Sequence, residues 1–171
     1  MIDEAHALVD RHLFGAIREM EAIQHVEYEP ELRRWYVRFG CEGRDAATIY
    51  FDLHQRTLRH EVFFLPAPED EARRAELAIW LLQRNQHLYG TRFSMGAEGD
   101  FYLTGRVALE HLSEDEIDRI IGVIYEATER WFQAAARTFG GKRRITSLYV
   151  RRAPRAASRC SRAVRVGHTT M

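Results

Sequence analysis

Apolar residues recur at three- and four-residue steps at the start of the chain. Ile2, Ala5, Val9, Leu13, Ile17 and Met20 make one stripe, which predicts an amphipathic helix from residue 2 to about residue 24. Asp3 and Glu4 suit the positive end of its dipole. The period then changes to two. Trp35, Val37, Phe39 and Cys41 alternate with Tyr36, Arg38 and Gly40, and Ile49, Phe51 and Leu53 alternate with Tyr50, Asp52 and His54. Both runs predict strands with one buried face, joined by a turn at Glu42-Gly43-Arg44-Asp45. A third strand, residues 58–65, departs from alternation. Leu58, Val62 and Phe64 share one face, whereas Phe63 and Leu65 fall on the other. A strand apolar on both faces is covered on both, so Phe63 and Leu65 are candidates for contact with a second element or a second subunit.

Pro66 and Pro68 end that strand. Pro68 is expected in the first turn of the next helix, with Glu69-Asp70-Glu71 as an acidic start. This helix should reach about Tyr89 and stop at Gly90. Leu77, Leu81 and Leu88 form its main stripe, with Ala75, Ile79, Leu82 and Gln86 beside it. Asn85 is a weak helix former one turn before Tyr89. Either its amide satisfies backbone groups near the helix end, or Asn85, Tyr89 and Trp80 line a recognition surface. Trp80 could equally belong to the core.

Residues 92–95 and 101–104 read as a hairpin around Gly96-Ala97-Glu98-Gly99-Asp100. Ser113-Glu114-Asp115-Glu116 reads as a capping box, with Glu116 reaching back to the Ser113 N-cap. The helix it opens carries the stripe Ile117, Ile120, Ile121, Ile124, Thr128, Trp131, Ala135 and Phe139, and Gly140-Gly141 closes it. The predicted order is α-βββ-α-ββ-α. Strands adjacent in sequence predict an α+β fold with an antiparallel sheet and helices packed on it.

Composition changes this picture mainly at the C-terminus. The chain has 171 residues, 46% hydrophobic and 29% charged, enough for one domain with an ordinary core. No apolar run approaches the length of a membrane span. The opening MIDEAH is acidic where a signal peptide is basic, so the cytoplasm is the expected compartment, and Cys41 and Cys160 are expected as free thiols. The net charge of zero is a cancellation. Residues 1–139 carry 16 basic against 25 acidic groups, a net of −9, and the remainder carries nine basic groups and no acid. The division is therefore a domain over residues 1–140 and a basic extension over 141–171, with too little apolar surface to fold alone. Arg143, Arg144, Arg151 and Arg152 are candidate phosphate contacts for a nucleic acid. Tyr149 is the one aromatic there, which provides poorly for base stacking. The arginine-rich composition also fits out-of-frame translation of GC-rich DNA.

No motif carries chemistry. The eight histidines include no H-E-x-x-H pair, and neither cysteine lies in C-x-x-C. Gly140-Gly141-Lys142 lacks the phosphate-loop spacing and follows a helix instead of preceding one. The acidic triplets open helices, where the dipole accounts for them. No nucleophile elbow is present. No catalytic residue, metal or cofactor is therefore assigned.

The motifs together resemble the YbjN family of bacterial sensory transduction regulators, and more narrowly its actinobacterial branch. The resemblance rests on Arg34-Trp35-Tyr36-Val37-Arg38, Gln55-Arg56-Thr57-Leu58, Leu65-Pro66-Ala67-Pro68-Glu69, Arg84-Asn85, Leu88-Tyr89-Gly90, Phe93, Tyr102-Leu103, Gly105-Arg106 and Asp118-Arg119-Ile120. It spans residues 2–140. It implies a fold similar to type III secretion chaperones, which are non-catalytic dimers that bind segments of partner proteins. The expectation is a cytoplasmic, chaperone-like or regulatory protein-binding homodimer. The alternatives are a nucleic-acid-associated regulator using the basic extension, and a small enzyme with an unrecognised pocket.

Overall fold

The structure, a computed structural model, describes residues 2–140; the extension with its arginines lies outside them. Helix α1 (Ile2–Glu19) leads into strands β1 (Ile23–Glu29), β2 (Arg34–Cys41), β3 (Arg44–Leu53) and β4 (Thr57–Leu65). Helix α2 (Glu71–Arg84) and a 3-10 turn (Asn85–His87) precede β5 (Thr91–Met95) and β6 (Phe101–Ala108). Helix α3 (Glu114–Phe139) closes the described chain. The six strands form one antiparallel sheet in the order β1-β2-β3-β4-β6-β5. This is the α+β architecture expected, with one strand more than predicted.

That strand is β1. Ile23 and Val26 are its buried residues, and their three-residue step continues the helical stripe of α1. The step arises from a register shift between Ile23 and His25, which hides the period of two. Helix α1 therefore ends at Glu19, five residues short of the expected end. The β2–β3 turn is also tighter than predicted, because Arg44 and Asp45 already belong to β3.

All three helices pack on the sheet face that presents Trp35, Val37 and Phe39. One apolar core joins these to Val9 and Leu13 of α1, Leu77 and Leu81 of α2, and Ile117, Ile120 and Ile124 of α3. Trp35 lies under α1, where its indole N–H donates to Asp10 at 3.0 Å. Phe64 meets Phe93 and Phe132 edge-on at 4.8 and 5.7 Å, pinning α3 across the sheet.

Helix ends follow local chemistry. Asp70, not a residue of the Pro68 turn, is the N-cap of α2; its carboxylate accepts the Arg73 N–H at 2.8 Å. Ser113 accepts the Glu116 N–H at 3.1 Å as predicted. The Glu116 side chain does not complete the box, since the Arg119 guanidinium takes both of its oxygens.

Candidate functional site

Leu65 is not a surface residue. It is 2% exposed and packs in the core. The alternation that placed it on the outer face is broken by a register shift between Phe63 and Leu65, which pair with Tyr102 and Phe101 respectively. One extra residue, Phe64, turns the following side chain inward. Backbone carbonyls at the bulge are held by Arg44, which donates to Phe63 O at 3.1 Å and Phe64 O at 3.3 Å. Its guanidinium stacks over Phe132 at 4.8 Å. Burial there lowers the Arg44 pKa.

Phe63 does face away from the helices. Cross-strand register places it in a row with Tyr102 and Ser94. The next row runs Glu27, Tyr36, Tyr50, Glu61 and Thr104. A third runs Glu29, Arg34, Asp52, Arg59 and Arg106. The rings touch: Tyr36 and Tyr50 lie 5.3 Å apart and Phe63 and Tyr102 5.7 Å apart, both edge-on. The charges alternate in sign from Glu29 to Arg59, and Arg106 follows as a second cation beside Arg59. Arg34 binds both oxygens of Asp52 and sits 5.3 Å over Tyr50, and Arg59 binds Glu61 and approaches Asp52. The Tyr36 hydroxyl donates to Glu29. Burial, then the Glu29 bond, raises its pKa, and the bond to Asp52 raises that of Arg34. Among the described residues no helix packs on this face, so an aromatic strip framed by satisfied ion pairs is its main feature.

The other predicted residues lie elsewhere, on α2 and its flank. Asn85 takes the structural role. Its amide accepts the Phe93 N–H at 2.7 Å and donates to Phe93 O at 3.2 Å. It thus occupies the outer edge of β5 as a neighbouring strand would, and ends α2 five residues earlier than predicted. Tyr89 is 74% exposed. Arg119 donates to its carbonyl at 2.7 Å and lies 4.7 Å over its ring. The following Gly90 has φ of 69°, and a Cβ there would meet the Arg119 guanidinium, so a glycine is needed. Trp80 is half-buried against Phe139, with Arg84 stacked 3.2 Å over it. Sequence reasoning left Ile79 and Leu82 beside the α2 core stripe; they are 58% and 61% exposed. Met95 of β5, the strand α2 packs against, is 57% exposed. The five predicted surface residues therefore divide: Phe63 on the sheet face, Trp80 and Tyr89 on the α2 flank, Asn85 at the β5 edge and Leu65 in the core.

No cluster of three or more metal-ligating side chains exists among the described residues. An open cleft of about 280 Å³ between β2 and α3 is lined by Glu21, Gln24, Cys41, Glu42 and Tyr125. Cys41 is a free thiol whose pKa burial pushes up to about 11, which leaves it protonated and a poor nucleophile. His60 is fully buried in the core face of β4, with Nε2 2.9 Å from the Thr91 hydroxyl and Nδ1 without a hydrogen-bond partner. No helix of the described residues is long and apolar enough to cross a membrane. The candidate nucleic-acid contacts Arg143, Arg144, Arg151 and Arg152 lie outside the described residues.

Residues 40–137 match the family model YbjN, described as "Putative bacterial sensory transduction regulator". An uncharacterised protein of Mycobacterium bovis is 34% identical over 80 residues, 47% of this chain and 43% of that protein. One from Mycobacterium leprae is 30% identical over 101 residues, 59% of this chain and 54% of that protein. The chain thus spans about half the length of the curated relatives it matches. Among solved structures, a chain of the HopA1–SchA chaperone–effector complex aligns with a TM-score of 0.51 at 13% identity, covering 77% of this chain and 97% of that one. An uncharacterised protein from Methanothermobacter thermautotrophicus aligns with a TM-score of 0.51 at 15% identity, covering 80% and 99%. At such identities the likeness is one of fold.

Proposed function

The chain belongs to the YbjN family, and from that premise we propose that it is a non-catalytic, chaperone-like regulatory module that binds segments of partner proteins as a homodimer. The observation that carries this reading is the sheet face bearing Tyr36, Tyr50, Phe63 and Tyr102. Tyr50 and Phe63 are half-buried there, and Tyr36 and Tyr102 are buried between their neighbours, so the rings are already held in place and meet a partner at low entropic cost, while ion pairs made within the sheet leave few unpaired charges. An extended segment laid across β3, β4 and β6 would rest on the rings and exchange hydrogen bonds with the flanking arginines. The chaperone–effector complex whose chain shares this fold supports a protein as ligand. The free Cys41 thiol suits a reducing compartment, the cytoplasm.

The test is photo-crosslinking of the full chain in cells, with the reactive amino acid at position 63, on the sheet face, or at position 83, exposed on α2. Under this reading the same partner proteins are captured from position 63 repeatedly, and Phe63→Glu abolishes their co-purification while the melting temperature holds. Partners retained by Phe63→Glu, or captured equally from position 83, would overturn the assignment of this face.

A further inference from the structure

The arginines of the outer sheet face divide into those with partners and those without. Arg34 binds Asp52, Arg59 binds Glu61 and Arg38 donates to Gln24. Acids there are engaged as well: Tyr36 donates to Glu29 and Tyr102 to Glu98. Arg92 of β5 and Arg106 of β6 are both exposed, and neither side chain has an ion pair or a hydrogen bond among the described residues.

Register brings these two together. Arg92 pairs with Thr104, two residues before Arg106 on the same strand. They are therefore diagonal neighbours about 7–8 Å apart, within reach of long side chains. Thr91 and Phe93 are buried on the core side, which sends Arg92 to the outer face. Arg106 in turn lies directly opposite Arg59, and like charges so placed weaken a sheet. The fold thus tolerates a cationic corner that its own carboxylates leave open. Two forked guanidiniums at that separation suit a carboxylate set between them.

The corner stands at a fixed distance from the rings. Along β6, Tyr102 and Arg106 are four residues apart, about 14 Å at about 3.4 Å each. Across the sheet, Tyr50 and Arg92 are three strand spacings apart, from β3 through β4 and β6 to β5, again about 14 Å at about 4.8 Å each. On either course an extended segment covers the span in four residues, and side chains four apart face the same way.

Resting on the reading above that this face receives a segment of a partner protein, we infer that the segment is acidic at one point. It sets an apolar side chain on the rings and, four residues away, an aspartate or glutamate carboxylate between Arg92 and Arg106. A nucleic acid fits this face less well. It binds through many phosphates, and would meet Glu27, Glu29 and Glu61 around the corner, on a body of 16 basic against 25 acidic groups over residues 1–139.

The test is a fluorescence-anisotropy titration of the full chain with short labelled peptides, each holding one leucine and one glutamate in a serine–threonine background. A spacing of four should bind. A spacing of three, which turns the carboxylate away from the sheet, or lysine in place of the glutamate, should bind at least about tenfold more weakly. Arg92→Glu combined with Arg106→Glu should lose the glutamate peptide at least about tenfold and recover binding to the lysine peptide. Since Arg106→Glu sets an opposite charge beside Arg59, the urea midpoint should not fall; if it does, the three peptides on wild type decide. Binding that ignores both the peptide's charge and the double variant, yet is lost in Phe63→Glu, overturns the cationic corner and leaves the protein-binding face standing. A single-stranded oligonucleotide that displaces the peptide from wild type, and no longer binds the double variant, overturns a polypeptide as the occupant. If no peptide binds up to about 1 mM, the acidic segment is refuted, and capture of partners from position 63 decides the face itself.

Discussion

Acid should weaken this protein through a single buried histidine. His60 is inaccessible to solvent. It sits opposite Phe51 on one side and Gly105 on the other. A Cβ on Gly105 would collide with its ring and with the Gly90 carbonyl. Burial, with a smaller contribution from the Arg119 charge, holds its pKa at about 4 in place of 6.5. Unfolded chain therefore takes up a proton near pH 6.5, whereas folded chain resists until about pH 4. Between those values the unfolded state binds more protons, and stability falls as pH falls. Each unit costs about 1.4 kcal/mol, so the window removes up to about 3 kcal/mol, a sizeable share of the 5–15 kcal/mol typical of a domain. Urea unfolding across that window, wild type beside His60→Gln, isolates the effect because the other histidines are common to both. Glutamine can still reach the Thr91 hydroxyl but does not titrate. The wild-type midpoint should drop steeply from pH 6.5 to 4 and the variant's much less. Parallel pH profiles, or a wild type that gains stability on acidification, would refute the burial argument.

Several other outcomes can be checked by equilibrium unfolding or simple labelling. Leu65→Ala should cost about 2–5 kcal/mol as a core truncation, whereas Phe63→Ala should cost less, because Phe63 faces away from the core; equal losses would mean that the bulge at Phe64 is misplaced. Arg44→Met removes the donor to two bulge carbonyls and should cost about 1–3 kcal/mol, read as a lower urea midpoint. Asn85→Ala should cost a similar amount, and by baring the β5 edge it should raise aggregation in a concentration-dependent way, followed by light scattering. Cys41 should react with a thiol reagent at pH 8 far more slowly in folded than in urea-unfolded protein, since its folded pKa is about 11.

The elements that were legible in the sequence are those with one clean period. The α3 stripe from Ile117 to Phe139 and the core alternation of β2 from Trp35 to Phe39 and of β3 from Ile49 to Leu53 appear as predicted because the count is unbroken over those residues; the register shift in β2 comes only after Phe39. Two bulges account for most of the rest. The shift at β1 made a strand look like the end of a helix, and the shift at Phe64 made a core leucine look like a surface one. A bulge adds a residue without leaving a residue type that marks it, so pattern reading cannot place it. Asn85 was readable as an anomaly because its propensity disagrees with its position; the structural reading of it, an amide serving backbone near a helix end, is the one the geometry supports. The partner in that bond, Phe93, is eight residues on and across a turn. The exposed positions Ala75, Ile79 and Leu82 stood in the string beside the α2 core stripe, and only burial separates the two.

Asn85 also makes the two borders of the sheet unequal. Its amide fills the pairing groups of the central residue of β5, a strand of five residues, so a chain seeking to extend the sheet is refused on that side and must join at β1. Addition of one copy's β1 to another's β5 would repeat without end and spin a filament. With one border stoppered, sheet-to-sheet joining can proceed only β1 to β1, which uses up both borders at once and halts at a pair. A single amide thus acts as a polymerisation stop at one border of the sheet.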